Sequence, residues 1–278
     1  MLEPETKDKT ILIVDDEQEI RRLLERLFAK ENYITLTAET AVDALMKAQD
    51  NDVDIVITDL RMPGMDGLEL IGQIHDIKPG MPVVVISGYG TFDTVVDAVR
   101  KGAFFFVNKP FDQNTILEAV ARGLRLPRHH MTHLPPVPGA SNVIEASFPP
   151  DHDNMEKMNH QLSSVAGIMG YSPHQRNISI PFVAGELLAM AAKAMEANPQ
   201  LTVSARFLIT EDTVEMEFTT PPGVYNADRL PSSIEEFDIT DPSNIGLLMA
   251  KYYAETLTFS PDGAQARVVM KKVNLFRG

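Results

Sequence analysis

Ile55-Val56-Ile57-Thr58-Asp59-Leu60-Arg61-Met62-Pro63-Gly64-Met65-Asp66-Gly67 is an apolar strand that ends in a carboxylate at a Pro/Gly turn. Upstream, Ile11-Leu12-Ile13-Val14-Asp15-Asp16-Glu17 is a second apolar strand ending in acids. Downstream, Val83-Val84-Val85-Ile86-Ser87-Gly88 ends in a hydroxyl, and Phe104-Phe105-Phe106-Val107-Asn108-Lys109-Pro110 ends in a lysine. Short continuous apolar runs of this kind are the pattern of strands buried on both faces of a parallel sheet. In an open parallel sheet, ligands bind outside the carboxyl ends of the strands, where these acids, the hydroxyl and the lysine are delivered.

The same stretch alternates strand with helix. Strands are expected near 10–15, 33–37, 53–59, 82–87 and 103–107, and helices near 17–30, 40–49, 66–76, 91–100 and 112–122. Five βα units imply an α/β fold with a parallel sheet and helices on both faces.

Order and spacing of these elements resemble the receiver domain of bacterial two-component response regulators, over residues 8–122. The resemblance implies a flavodoxin-like doubly wound domain with five parallel strands. It implies that Asp59 is the phosphoacceptor, and that Asp15, Asp16 and Asp59, with the backbone carbonyl of Arg61, hold Mg2+. Lys109 would neutralise the acyl phosphate, and Ser87 with Phe106 would form the switch pair. A cognate histidine kinase and homodimerisation through the 91–122 face are implied in the same way. The residue chemistry agrees with these roles. A carboxylate acts as a nucleophile on a phosphoryl donor when a metal and a lysine screen the incoming charge, and magnesium prefers carboxylate and water oxygens. Receiver positions two after the acceptor and two after the switch hydroxyl tune water attack. Here they are Arg61 and Tyr89, neither able to orient water as a carboxylate or amide does, so a long-lived phosphoaspartate is expected.

Bulk composition sets outer limits. The chain has 278 residues and 44% hydrophobic content, enough for two packed domains on a length prior of roughly 100–200 residues each. With no Cys, disulfides, thiolate metal sites and a Cys nucleophile are excluded. The net charge is −14, with acids in excess in both halves. No Lys/Arg cluster supplies phosphate contacts, so nucleic acid is not expected as a partner. The N-terminus lacks a signal-peptide core, and no run approaches the roughly 18 apolar residues of a membrane helix, so a soluble cytoplasmic protein is expected.

Residues 123–140 break the periodicity with Pro127, Pro135, Pro136, Pro138 and Gly139, and read as a semi-rigid linker. His129, His130 and His133 lie in it without an acid or further ligand nearby. A second domain is expected over 141–278. It opens with the alternating strand Asn142-Val143-Ile144-Glu145-Ala146-Ser147-Phe148, followed by a helix capped by Asp151 or Asp153. Ser172-Pro173 begins another helix that is strongly apolar from Phe182 to Met195. Two strands turn at Glu211-Asp212, a Pro-containing loop spans 221–241, Pro242 starts a helix, and a last hairpin turns at Pro261-Asp262-Gly263. The order β-α-α-β-β-α-β-β suggests an α/β sandwich, a mixed sheet covered by helices on one face.

This order resembles the ATPase fold of histidine kinases, gyrase-type ATPases and, most closely, the anti-sigma-factor serine kinases of bacterial partner switching. The likeness is carried by Ile144-Glu145-Ala146-Ser147-Phe148-Pro149-Pro150-Asp151 and by Ser243-Asn244-Ile245-Gly246-Leu247-Leu248. The nucleotide boxes are altered. In that family a helical Glu, the catalytic base, is followed four residues later by a magnesium-binding Asn. Here Glu186 is followed by Met190, a poor ligand for a hard cation. An Asp with two spaced glycines reads adenine in the family, whereas Thr219-Thr220-Pro221-Pro222-Gly223 offers one glycine and no acid. Of a Gly-x-Gly at a helix start, Asn244-Ile245-Gly246 keeps half. Gly223 and Gly246 are thus the remaining nucleotide-site candidates, and Glu186 a vestigial base.

Two functions are consistent with the sequence. In the first, phosphorylation of Asp59 controls a non-catalytic second domain that no longer binds ATP in the ordinary way. That domain instead binds a regulatory protein such as a sigma factor or anti-anti-sigma factor. In the second, the chain is a phosphorylation-gated serine/threonine kinase that binds ATP and uses Glu186 as base. His160 is read as a solvent-facing helical residue.

Overall fold

The structure, a computed structural model, describes residues 9–88, 90–126, 142–231, 233, 236–237 and 242–272. Tyr89 and the linker histidines His129, His130 and His133 lie outside the described residues. Two compact units share the chain, one built mainly from residues up to Arg125 and the other mainly from residues beyond it.

The first unit alternates β1 (Thr10–Val14), α1 (Gln18–Lys30), β2 (Ile34–Ala38), α2 (Ala41–Asp50), β3 (Ile55–Asp59), α3 (Gly67–Ile77), β4 (Val83–Ser87), α4 (Phe92–Arg100), β5 (Phe105–Asn108) and α5 (Gln113–Leu124). Strands pair in the order β2-β1-β3-β4-β5, every pairing parallel. This is the flavodoxin-like order, with its switch point between β1 and β3. All five residues of β3 and of β4 are buried, as expected for central strands with helices on both faces. Side-chain oxygens start the helices: Thr40 accepts from the Asp43 N–H, Asp66 from Glu69, Thr91 from Thr94, and Asp112 from Asn114 and Thr115. Such caps contribute about 1 kcal/mol each, so the chain's own sequence fixes where each helix begins above the sheet edge. Helix α5 continues past residue 122 because Gly123 is buried against Ile55 and Phe104.

The second unit contains β6 (Asn142–Phe148), α6 (His152–Ile168), a π-helical turn (Gln175–Ser179), α7 (Ile180–Met195), β7 (Val203–Ile209), β8 (Thr213–Thr219), α8 (Pro242–Tyr253), β9 (Thr256–Phe259) and β10 (Gln265–Lys271). The element order matches the expectation, but the sheet is not mixed. Among the described residues its order is β6-β7-β8-β10-β9 and every pairing is antiparallel. The connection through α6 and α7 joins the neighbours β6 and β7, whereas the connection through α8 carries the chain past the β10 position to the edge strand β9. Burial alternates along β7, β8 and β10, so one face is covered and the other faces solvent. On the covered face Phe207 and Phe218 meet edge to face at 5.5 Å.

The stretch Gln175–Met195 is, by length and composition, apolar enough to cross a membrane, with mean hydropathy 1.5, although it is interrupted by Arg176, Asn177 and Glu186. About half of it is buried inside the second unit, 56% of its most apolar window. Its first turn is π-helical rather than α-helical. Gln175, Arg176, Asn177 and Ser179 are buried there, and Asn177 Oδ1 accepts a 2.9 Å hydrogen bond from the Ser163 hydroxyl of α6. A π turn re-aims side chains by accommodating one more residue, which brings this polar group inward onto α6.

Candidate functional site

At the carboxyl edge of the first sheet the strands deliver their terminal side chains to one point. Asp15 follows β1, Asp59 ends β3, Ser87 ends β4 and Lys109 follows β5. The ammonium of Lys109 lies 3.0 Å from Asp15 Oδ2 and 2.9 Å from Asp59 Oδ1, with Glu17 Oε1 further away at 3.8 Å. Its backbone N–H donates to the Ser87 carbonyl at 2.8 Å, which ties the lysine to the end of β4.

Both carboxylates are also held from behind. Asp15 Oδ1 accepts from the Glu17 N–H at 2.8 Å, and Asp59 Oδ2 accepts from the Arg61 N–H at 2.8 Å. The turn after Asp59 is compact. Gly64 has φ +83°, and the Gly67 N–H donates to the Leu60 carbonyl at 2.9 Å. A Cβ on Gly67 would overlap the Asp59 carbonyl oxygen and lie 2.9 Å from Leu60 Cα. Only glycine lets α3 start so near the end of β3.

Asp15 is 1% exposed and Asp59 8%. Burial raises the Asp15 carboxyl above the ordinary carboxylate range; the Lys109 hydrogen bond, the Glu17 N–H and the Lys109 charge pull it back only in part, and the Asp59 charge adds to the rise. For Lys109, burial works against the charged form. Hydrogen bonds and charges from Asp59 and Asp15 outweigh it and raise the lysine above its usual value. The pocket therefore keeps its cation firmly protonated.

Sequence reasoning placed Asp15, Asp59, Ser87 and Lys109 at this edge, and the structure brings them there, while Phe106 lies within β5 opposite Val85. Phe106 is fully buried in β5. Asp16 sits beside them, half-buried, but its carboxylate is not drawn into the Lys109 contact. The Arg61 N–H donates to Asp59 Oδ2. Among the described residues no three Asp, Glu or His side chains are gathered tightly enough to hold a metal, and the Lys109 ammonium bridges Asp15 and Asp59. The donor set itself, carboxylate oxygens without sulfur or imidazole, fits a hard divalent cation such as Mg2+.

Two contacts were not legible in the sequence. The Glu17 N–H orients Asp15, and Arg21, one turn into α1, donates from Nη1 to the carbonyls of Asp15 and Asp16 at 2.6 and 3.0 Å. Nothing in an acid-rich strand end signals a backbone-directed arginine six residues later.

In the second unit, Glu186 of α7 and Gly246 of α8 are neighbours. A Cβ on Gly246 would fall 2.7 Å from the Glu186 carboxyl carbon and 2.9 Å from its Oε1. Gly223 lies elsewhere, with φ +89°, its N–H donating to the Asp262 carbonyl of the last hairpin turn at 2.9 Å. Met190 is half-buried and His160 exposed.

A sequence model of the response regulator receiver domain matches residues 11–121. The transcriptional regulatory protein GlrR of Escherichia coli (strain K12) is 36% identical over 114 residues, 41% of this chain and 26% of that protein. The transcriptional regulatory protein FixJ of Rhizobium meliloti (strain 1021) is 36% identical over 115 residues, 41% of this chain and 56% of that protein. The crystal structure of the response regulator protein TrrA from Thermotoga maritima, in complex with Mg(2+)-BeF, is 34% identical, covers 42% of this chain and 99% of that one, and has a TM-score of 0.39. The chain thus spans between about a quarter and about half of the length of these curated relatives. With its five-stranded parallel sheet and its acid–lysine edge, the first unit of this chain is a response regulator receiver domain.

Proposed function

We propose that Asp59 is the phosphoacceptor of a two-component response regulator, and that its phosphorylation by a cognate histidine kinase controls the second unit. The observation that carries this is the Asp15–Lys109–Asp59 bridge at 3.0 and 2.9 Å, which holds a carboxylate nucleophile beside a buried ammonium. A carboxylate oxygen of Asp59 forms the new bond to phosphorus as the donor's leaving group departs. Lys109 then faces the added charge of the phosphoryl group, up to two negative units. Asp15, Asp16 and Asp59, with the Arg61 carbonyl, would hold Mg2+, which when bound supplies charge screening to the phosphoryl oxygens. Ser87 and Phe106 are the switch pair of this reading.

Incubation of the full chain with acetyl phosphate and Mg2+ tests the assignment. Wild type gains one phosphoryl group by intact mass, and Asp59→Asn gains none. Equal labelling of the two would remove Asp59 from the role.

For the second unit, corresponding to the 141–278 domain, the reading is an ATPase-like fold of the anti-sigma-factor kinase type, given over to binding a regulatory protein such as a sigma factor or anti-anti-sigma factor. Supporting it are Met190 in place of an oxygen ligand and the different surroundings of Gly223, on the last hairpin turn, and Gly246, against Glu186. The kinase reading has one observation in its favour, the adjacency of Glu186 and Gly246. Tight magnesium-dependent binding of an ATP analogue to the full chain would favour the kinase.

A further inference from the structure

The acid loop after β1 has an internal conflict. The carboxylates of Asp15 and Asp59 meet on Lys109, Asp16 follows Asp15 half-buried, and the backbone carbonyls of both Asp15 and Asp16 need partners of their own. Arg21 supplies those partners. Its Nη1 donates to the Asp15 carbonyl at 2.6 Å and to the Asp16 carbonyl at 3.0 Å, and its Nη2 lies 3.4 Å from Glu39 Oε2 just beyond β2. The arginine side chain is 12% exposed, whereas Glu39 is 71% exposed. The well-ordered part of the contact is therefore the one to the loop, and the Glu39 pair adds little.

From this geometry we infer that Arg21 is a positioning residue for the cation pocket, a role that rests on the reading of Asp15, Asp16 and Asp59 as the Mg2+ ligands. The labour is divided by atom. Backbone oxygens of Asp15 and Asp16 go to the guanidinium, which leaves their carboxylate oxygens for the cation. A planar guanidinium can offer one nitrogen to two successive carbonyls and its second to Glu39, which a single ammonium cannot do in the same geometry. Arg21 also places a positive charge behind the acids without occupying the pocket, as Lys109 does from the front. Without it the loop after β1 is held by the Glu17 N–H and the Lys109 ammonium on the Asp15 carboxylate and by the Asp15 N–H on the Ala38 carbonyl, none of them contacts of Asp16 itself.

The test is a titration of the unphosphorylated full chain with MgCl2, read from amide shifts of residues 15–17 and 59–61 in wild type, Arg21→Ala and Arg21→Lys. Groups that orient metal ligands typically change affinity about 10–100-fold, so Arg21→Ala should bind Mg2+ about 10-fold more weakly, and Arg21→Lys should recover only part of that loss. Acetyl-phosphate labelling at limiting Mg2+ should fall in parallel with the weaker Mg2+ binding and recover as MgCl2 is raised. Arg21→Lys guards against a folding defect in the alanine variant, with apo melting temperatures measured alongside. Mg2+ affinity within twofold of wild type in a folded Arg21→Lys and Arg21→Ala pair would overturn the inference. Wild type that binds Mg2+ at these amides but is not labelled at Asp59 would instead overturn the phosphoacceptor reading, so the two failures are separable.

Discussion

Lys109 places its ammonium 2.9 Å from Asp59 and 3.0 Å from Asp15, bridging two carboxylates that come from different strands. It thereby occupies, as a tethered charge, the space between two acids that a divalent cation also has to share. Removing it should have opposite effects on apo stability and on cation binding. Lys109→Ala leaves two largely buried acids facing each other, and an orphaned buried partner of a charged hydrogen bond costs about 1–3 kcal/mol. The same change deepens the negative potential of the pocket. The expected outcome is a lower apo melting temperature together with tighter Mg2+ binding, so that MgCl2 raises the melting temperature more in Lys109→Ala than in wild type. An equal Mg2+ increment in both proteins would contradict a shared pocket.

Gly67 sets the distance between β3 and α3. Gly67→Ala must push either the Asp59 carbonyl or the helix start aside, because backbone atoms rather than a flexible side chain occupy the space. Overpacking of this kind costs about 1–3 kcal/mol. Denaturant midpoints should fall accordingly, and acetyl-phosphate labelling of Asp59 should slow. Normal stability with normal labelling would mean that the turn has more play than its geometry implies.

His75 gives the receiver a stability dependence on pH near neutrality. Its ring is buried, 6% exposed, with Nε2 3.0 Å from the Gly102 carbonyl. Burial lowers its pKa below the usual 6.5, while the Gly102 carbonyl and the Asp76 charge pull weakly the other way. The unfolded chain therefore binds a proton below about pH 6.5 that the folded chain does not. Stability from this group is complete above that pH and is lost as pH falls, by up to about 1.4 kcal/mol per pH unit for one proton. Asp15, raised by burial, acts in the opposite sense closer to the carboxylate range. His75→Gln keeps a donor for the Gly102 carbonyl but cannot titrate. Between pH 6.5 and 5, its stability, measured by denaturation followed at receiver amides, should vary less steeply than that of wild type. Parallel slopes would assign the pH dependence to other groups.

Much of the receiver could be read from its strands because each is a short apolar run that stops at a polar residue, and stopping points are local. Asp15, Asp59, Ser87 and Lys109 were all placed that way. What the lysine does with the acids was not legible, since a bridge across 94 residues of sequence depends on sheet order. The same limit explains the second unit. Alternation gave its strands, and Glu211-Asp212 and Pro261-Asp262-Gly263 gave its turns. Whether Gln265–Lys271 pairs antiparallel with Thr213–Thr219 is a matter of long-range partners, and the mixed sheet expected there proved wholly antiparallel among the described residues. The π turn at Gln175–Ser179 left no local signal, because polar residues in a helix start read as exposed until α6 covers them.

Glu186 and Gly246 approach closely enough for a double-mutant cycle to weigh the contact. Gly246→Ala should destabilise the second unit by at most about 1 kcal/mol, because its Cβ meets the end of a flexible Glu186 side chain rather than backbone. In Gly246→Ala with Glu186→Ala that contact is removed, and a coupling of about 0.5 kcal/mol should appear. Additive losses would mean that the carboxylate swings away freely. If the domain is a kinase instead, Glu186→Gln alone should cost about 10²–10⁴-fold in phosphoryl transfer, the usual range for a general base.

The strongest discrimination between outputs comes from beryllofluoride. On the proposed reading, phosphoryl charge at Asp59 would act through Lys109, whose N–H is bonded to the Ser87 carbonyl, and so reach the ends of β4 and β5 together. Those ends lead into residues 91–122, which should change amide exchange first. If the second unit is the controlled output, exchange should also change on α6, α7 or α8, and Asp59→Asn should show neither effect. Partner binding should survive Glu186→Gln, since the carboxylate serves no chemistry in a protein-binding domain. Exchange changes confined to 91–122, accompanied by a concentration-dependent rise in mass, would replace control of the second unit with dimerisation of the receiver through that face.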